Sequence, residues 1–193
     1  MTAWPWDERI TPKEFFLQEN SSKVMKYQGL EMVISGGQTG ADRAGLFAAE
    51  ALGISTGGWM PRGFLASDGR HPNFAIRFGL REHPSPLYPP RTRENIRMAC
   101  ATLCLEAVVA SRGVSLTCEL AAKANKPLLR VLFKADSLGD LAPEVAPAAV
   151  IEWINGQQIR ILNIAGNEEN KAPGLHHASL LFLTKALRPW ALR

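Results

Sequence analysis

From Leu30 onward, apolar residues fall into short continuous runs that alternate with longer stretches of helical spacing. Met32-Val33-Ile34 is a short apolar run closed by two glycines, which predicts a buried strand. From Ala41 to Leu52, residues Ala44, Leu46, Phe47, Ala48, Ala51 and Leu52 form a broad apolar stripe, which predicts a helix stopped by Gly53. A second strand is predicted from Ile54 into Gly57-Gly58-Trp59, and Met60 to Asn73 reads as a long glycine- and proline-containing loop with room for function. Further strands are predicted at Phe78 to Glu82, Leu103 to Ala110, Leu128 to Phe133 and Ile159 to Ile164. Helices are predicted at Arg91 to Met98, Ser115 to Asn125, Pro143 to Asn155 and Gly174 to Leu187. Short apolar strands alternating with amphipathic helices predict an α/β, Rossmann-like three-layer fold, a mostly parallel sheet flanked by helices. Right-handed crossovers should connect its strands.

The first 29 residues do not share this rhythm. Trp4, Trp6, Phe15, Phe16 and Leu17 stand among prolines and charges without a lasting period, with one short helix expected near residues 12–19. The chain therefore divides into an N-terminal extension, 1–29, and one domain, 30–193. The extension's aromatics could pack on the domain or dock a partner.

Composition narrows the classes. At 193 residues, 46% hydrophobic and 21% charged, the chain matches one globular domain rather than a disordered or membrane protein. The longest apolar stretches are broken by a charge or proline well short of a spanning length. The net charge of +4 is mild and its basic residues are scattered, so the basic stripe with interleaved aromatics typical of a nucleic-acid binder is not expected.

Cys100, Cys104 and Cys118 include no CxxC, and Cys100 with Cys104 falls on one face of an expected buried strand. Structural thiols in a reducing compartment follow. Asp7, Glu8, Glu14 and Glu19 speak against a secretory or mitochondrial signal, so a cytoplasmic location is expected. His176-His177 are adjacent on a predicted helix and face different directions, which suits surface histidines and not a metal site.

Candidate chemistry begins at Ser35-Gly36-Gly37-Gln38-Thr39-Gly40. A strand ending here and a helix beginning near Ala41 would leave unpartnered N–H groups at the helix start, where the dipole favours an anion. Gly36, Gly37 and Gly40 permit close approach, and Thr39 can cap the helix or donate to a phosphate. The run is neither GxGxxG nor a P-loop, and a tight turn with a satisfied cap uses the same residues. Asp42 and Arg43 suit either a ligand site or an ordinary first-turn pair.

The stretch Ser35-Gly36-Gly37-Gln38-Thr39-Gly40-Ala41-Asp42-Arg43-Ala44 resembles the opening of the putative molybdenum carrier family. That family is a circularly permuted branch of the SLOG group of Rossmann-like proteins, which also holds the LOG (lysine-decarboxylase-like) phosphoribohydrolases. The likeness continues through Gly57-Gly58-Trp59-Met60-Pro61-Arg62-Gly63 and Asp68-Gly69, then Tyr88, Arg91-Thr92 and Asn95-Ile96-Arg97. It closes with Leu162-Asn163-Ile164-Ala165-Gly166 and Lys171-Ala172-Pro173-Gly174, covering about residues 31–187. The resemblance implies the fold, and a ligand that is a nucleotide or is derived from one, molybdenum cofactor among them.

Within that frame, Gly36, Gly37, Gln38, Thr39, Gly40, Asp42 and Arg43 are candidate ligand contacts. Beside Gly58, Trp59 could stack on a base or pterin ring while Arg62 pairs with a phosphate. Arg91, Thr92 and Asn95 open a short helix at the same sheet edge, and Arg91 shares a helix face with Asn95. Lys171 could reach an anion, with Asn163 and Gly166 at the strand end nearby. Relatives carry Thr-Gly-Gly-Thr where this chain has Ser111-Arg112-Gly113-Val114, so Arg112 would hold phosphate by charge where a glycine let backbone approach. Gly113 and Thr117 keep their places, and Glu119 matches the glutamate that LOG phosphoribohydrolases use near the ribose, a candidate catalytic carboxylate. Relatives also carry Asp-Ser-Asp where this chain has Met98-Ala99-Cys100.

Three readings stand open at this point. The first is binding of a small anionic, nucleotide-like ligand. The second is cleavage of the N-glycosidic bond of a nucleoside monophosphate. The third is an interaction module working through the N-terminal arm. No membrane or nucleic-acid partner is expected, and a homo-oligomer is compatible with any of the three.

Overall fold

The computed structural model describes residues 29–107, 111–137 and 139–191, so the helix expected near 12–19 lies outside the described residues. Strand β1 (Met32–Ser35), helix α1 (Ala41–Ala51) and strand β2 (Ser55–Met60) follow one another as predicted. Tight packing of α1 on the sheet depends on Gly45, where a Cβ would sit 2.7 Å from that of Ile164.

The region expected to be one loop contains a small antiparallel hairpin, β3 (Leu65–Ala66) and β4 (Gly69–Arg70). The strand expected from Phe78 is shorter, β5 (Leu80–Glu82), because Phe74–Phe78 forms helix α2 and Gly79, with φ 66, ends it. Helix α3 (Tyr88–Met98) starts earlier than predicted, since Pro89 and Pro90 in its first turn favour initiation. Strand β6 is Ala101–Glu106, and Cys100 precedes it and is exposed, contrary to the expectation that it lies buried beside Cys104. Cys104 is buried, which pushes its thiol pKa well up and keeps it in the unreactive thiol form.

Ser111 moves the start of α4 (Arg112–Lys123) forward by accepting a bond from the Val114 N–H. Strand β7 (Leu128–Ala135) then pairs with a short antiparallel edge strand, β8 (Leu141–Pro143), where α5 was expected to begin; α5 is Pro147–Gly156. Strand β9 (Ile161–Gly166), helix α6 (Leu175–Ala186) and a 3-10 turn at Arg188–Trp190 complete the described chain.

The main sheet has seven strands in the order β5-β2-β1-β9-β6-β7-β8. All pairings are parallel except β7 with β8. The last strand in sequence is thus central, running beside β1 (Val33 opposite Leu162) and β6 (Leu103 opposite Ile164). Helix α6 packs against both α1 and α5, and α3 packs against α4. From β1 the chain winds toward β2, whereas from β6 it winds toward β7. With right-handed crossovers, that reversal sets α1 and α4 on opposite faces. This is the expected Rossmann-like α/β architecture. Val33, Leu103, Leu105, Leu162 and Ile164 are fully buried between the layers. A second apolar cluster, Leu46, Met60, Ala66, Phe74, Phe78 and Leu80, seats the hairpin against α1.

Candidate functional site

In open parallel sheets, ligands sit beyond the carboxyl ends of the strands where the winding reverses. Here that place lies past the ends of β1, β9 and β6, and it holds a cleft of about 590 Å³. One wall is Gln38 and Asp42, a second is Tyr88, Arg91 and Thr92, and a third is Arg112, Gly113, Leu116, Thr117 and Glu119 of α4. Ala165, Gly166, Glu168 and Lys171 form the rim after β9. Of the residues singled out from the sequence, Gln38, Asp42, Arg91, Thr92, Arg112, Gly113, Thr117, Glu119 and Lys171 come together here.

The glycine turn itself is turned inward. The Gly37 N–H donates to Ser35 Oγ at 3.3 Å, the Gln38 N–H to Asp42 Oδ2 at 3.4 Å, and the Thr39 N–H to Gln38 Oε1 at 2.9 Å. At the start of α1 the Ala41 N–H donates to the Asn167 carbonyl at 3.1 Å. Ser35 Oγ donates in turn to the Asp42 carbonyl at 3.0 Å. Gly36, Gly37, Thr39 and Gly40 are therefore not among the residues lining the cleft. At Gly37, φ is 67 and a Cβ would meet Met60 Sδ at 2.7 Å. The turn is compact because its own side chains accept the hydrogen bonds of its amides.

Gln38 and Arg43 join the turn to the hairpin. Gln38 Oε1 accepts from the Ser67 N–H at 2.8 Å and from Ser67 Oγ at 2.9 Å. Thr39 Oγ1 lies 3.0 Å from Ser67 Oγ. Arg43 donates to both carboxylate oxygens of Asp68 at 2.6 Å, and His71 Nε2 lies 2.8 Å from that carboxylate. These bonds hold the Asp68 carboxyl well below its ordinary pKa. Arg43 is thus engaged away from the cleft.

Asp42 and Arg91 form the buried heart of the cleft. Their side chains are 6% and 11% exposed, with Arg91 Nη1 3.5 Å from Asp42 Oδ2. Burial raises the Asp42 pKa, and the Arg91 charge opposes that rise without overcoming it. Arg91 Nε is buried with no hydrogen-bond partner. The guanidinium also stands 5.7 Å from the centroid of the Tyr88 ring. Gly36 makes this placement possible, because a Cβ there would overlap Arg91 Nη1.

On the α4 wall, Thr117 Oγ1 donates to the Gly113 carbonyl at 3.0 Å, so its hydroxyl hydrogen is used within the helix. Arg112 and Glu119 are exposed. Lys171 pairs with Glu168 at 3.0 Å on the rim. Asn167 joins the walls: its side-chain oxygen accepts from the Ala107 N–H at 2.9 Å, and its Nδ2 donates to Ser111 Oγ at 3.0 Å.

Several candidates stand apart from the cleft. The Trp59 N–H donates to Asn95 Oδ1 at 2.8 Å, and Asn95 Nδ2 donates to the Trp59 carbonyl at 3.2 Å, so Asn95 pins β2 to α3. The Trp59 ring is occupied, with Nε1 2.9 Å from Met98 Sδ and Arg81 5.8 Å from the ring centroid. Gly58 allows β2 to lie against β1, since a Cβ would strike the backbone of Ser35. Arg62 is exposed beside the hairpin, its carbonyl accepting from Arg70 at 3.5 Å. Asn163 lies within β9, bonded to Thr102 Oγ1 at 3.2 Å.

His176 is half-buried rather than a free surface group, with Nδ1 3.3 Å from the Gly40 carbonyl. Among the described residues no cluster of side chains suits a metal ion, and no helix is long and apolar enough to cross a membrane. Tyr88, Glu168 and Asn167 were not among the candidates drawn from the sequence. Asn167 directly follows the strand-ending Gly166, and Tyr88 opens one of the family-like blocks ahead of two prolines.

The sequence profile of the circularly permutated YpsA SLOG family matches residues 33–187. A crystal structure of a putative molybdenum carrier protein from Syntrophus aciditrophicus is similar, at 33% identity and TM-score 0.69, over 82% of this chain and 96% of that one. No curated protein matches the chain. With a profile spanning most of its length and a solved relative of the same fold, this chain belongs to the circularly permutated YpsA SLOG family.

Proposed function

We propose that the domain spanning residues 30–193 is a cytoplasmic binding protein for a nucleotide-derived small molecule, held in the cleft between the starts of α1, α3 and α4. One observation carries this reading: Arg91, Arg112 and Lys171 line the same cleft as the half-open ring of Tyr88. An anionic group suits the cations, and a planar ring suits Tyr88 beside Leu116. The anion is read by side-chain charge rather than by the glycine turn, whose amides are engaged within the protein. Tyr88 takes the ring-flanking part first considered for Trp59. The relative is called a molybdenum carrier, and molybdenum cofactor combines a pterin ring with phosphate, so it is one ligand of this class. The lining residues include no cysteine or histidine.

A second reading, N-glycosidic hydrolysis, is favoured by two carboxylates of unlike setting on facing walls: Asp42 is buried and Glu119 is exposed. Calorimetry and thermal denaturation with AMP, GMP and molybdenum cofactor test the main reading, with released base assayed in parallel. Saturation at about 100 times Kd should raise stability by about 2.7 kcal/mol. For a chain of this size that corresponds to a Tm rise of roughly 5–10 °C. Arg91→Ala should abolish the rise. No shift across the panel refutes the binding reading, and base release lost in Glu119→Gln establishes the hydrolytic one.

A further inference from the structure

Asp42 and Arg91 show an arrangement that a purely structural ion pair would not require. The contact is single and long, 3.5 Å between Nη1 and Oδ2, where charge-assisted pairs settle nearer 2.8 Å. Asp42 spends the same oxygen on the Gln38 N–H at 3.4 Å, again a long bond. Arg91 Nε is buried and unpartnered, although leaving such a donor unsatisfied is costly. Both side chains line the cleft, and Gly36 leaves the guanidinium no obstruction beneath it. The arginine is thus positioned and partly neutralised, but its donors are not saturated.

We propose that Asp42 is an internal counter-anion that holds Arg91 in the empty cleft, and that the ligand's anionic group competes for this guanidinium, with Asp42 taking up a proton from solvent as the ligand binds. The proposal rests on the cleft being an anion site. Its chemistry is simple: the carboxylate gains one proton, no other bond is made or broken, and the guanidinium keeps its charge. An incoming anion is a like charge beside a buried carboxylate, which favours the neutral acid. Burial already pushes Asp42 in that direction.

The surroundings add to the effect. Glu168, from the turn after β9, raises the Asp42 pKa, whereas Arg91 from α3 and the amides of Gln38 and Gly36 lower it. Cys104 on β6, which interacts electrostatically with Asp42, is held as a neutral thiol by burial. Lys171 is paired with Glu168 at 3.0 Å, and Arg112 and Glu119 stand exposed on the α4 wall. Ligand charge on Arg91 therefore offsets the largest of the interactions that favour the ionised form of Asp42. Affinity for an anion should fall as pH rises, through linkage to one proton.

The test uses the full chain with AMP and, separately, inorganic sulfate, whose charge is constant near neutral pH. Calorimetry of the wild type in buffers of different ionisation enthalpy counts protons taken up on binding and requires no variant. We expect up to one proton per AMP, with affinity stronger at pH 5.5 than at pH 7.5. Asp42→Asn should lose the part of the pH dependence that is not AMP's own, and should bind about tenfold more tightly at pH 7.5. If Asp42→Asn does not fold, the wild-type proton count decides. AMP bound with no proton uptake beyond its own titration overturns the proposal and leaves the binding reading intact. If AMP does not bind, the rest of the ligand panel decides the binding reading and sulfate alone decides the counter-anion. Sulfate that stabilises Asp42→Asn more than wild type then retains the counter-anion role, and sulfate that favours neither overturns it.

Discussion

The main-chain carbonyl of Asn167 accepts the Ala41 N–H at 3.1 Å, so the turn after β9 closes the end of α1 that a phosphate would otherwise approach. The side chain of the same residue reaches Ala107 and Ser111, at the ends of β6 and α4. One asparagine therefore sets the distance between the cleft walls. Asn167→Ala should remove the acceptor of the half-buried Ala107 amide and lower stability by about 1 kcal/mol. Asn167→Asp, which keeps an acceptor for that amide, should lose less. Urea denaturation of both variants checks the order.

Gly36 and Gly40 should separate binding from folding. A Cβ at Gly36 meets the end of the Arg91 side chain and lies 2.7 Å from Asp42 Oδ2, so it disturbs the ion pair rather than backbone. Gly36→Ala should cost less stability than Gly40→Ala and lose about tenfold or more in affinity for an anionic ligand. At Gly40, φ is 79 and a Cβ would press on backbone, with the Glu169 nitrogen 2.7 Å away. Gly40→Ala should cost about 1–3 kcal/mol or more. Thermal denaturation with and without AMP distinguishes the two outcomes.

Tyr88 and Trp59 offer a similar contrast. If a planar ring rests on Tyr88, Tyr88→Ala should reduce AMP affinity by about 1–3 kcal/mol, the scale of base–aromatic stacking. Trp59→Ala should lower stability and leave affinity within about twofold, because that ring is occupied by Met98 and Arg81. Equal losses of affinity would place the ring elsewhere.

Acid should loosen the hairpin from the glycine turn. Bonds from Arg43 lower the folded-state pKa of Asp68 below its unfolded value. The stabilisation is complete at neutral pH and is lost as pH falls from the unfolded value toward the lower folded one. Because the Asp68 side chain is 41% exposed, the effect should stay within about 1 kcal/mol. Asp68→Asn should flatten the acid limb of a stability profile, and a slope unchanged from wild type would assign it to other carboxylates.

The elements with strong apolar periodicity were legible from the chain: β1, α1, β7 and α6 lie within a few residues of their predicted places. Errors gathered where tertiary contacts decide. Leu65–Ala66 and Gly69–Arg70 are too short to show a strand period, and their hairpin depends on Gln38, Arg43 and the Phe74 cluster. The candidate site was half legible. Arg91, Arg112 and Lys171 stand out by charge and by their place in or beside the family-like blocks, and Glu119 by its match to the glutamate of the LOG phosphoribohydrolases; all four line one cleft. The glycine turn has the spacing of an anion cradle, and spacing alone does not reveal that Ser35, Asp42 and Gln38 already occupy its amides. Trp59 stands out in the sequence because it follows Gly57-Gly58 at a strand end within a family-like block, but its partners Met98 and His83 lie far from it in sequence.

The central position of β9 also bears on how the chain reaches this structure. Met32 pairs with Ile161, and Ala101 with Leu162, so β1 and β6 cannot join into one sheet until β9 arrives between them. During synthesis the β1-β2-β5 and β6-β7-β8 sections emerge first, each with an apolar edge awaiting the same late strand. Pairings of such long sequence separation make folding slow. A ribosome stalled before residue 161 should therefore hold two unjoined and aggregation-prone half-sheets, and the cleft, whose floor is the seam β9 fills, should be the last part to form.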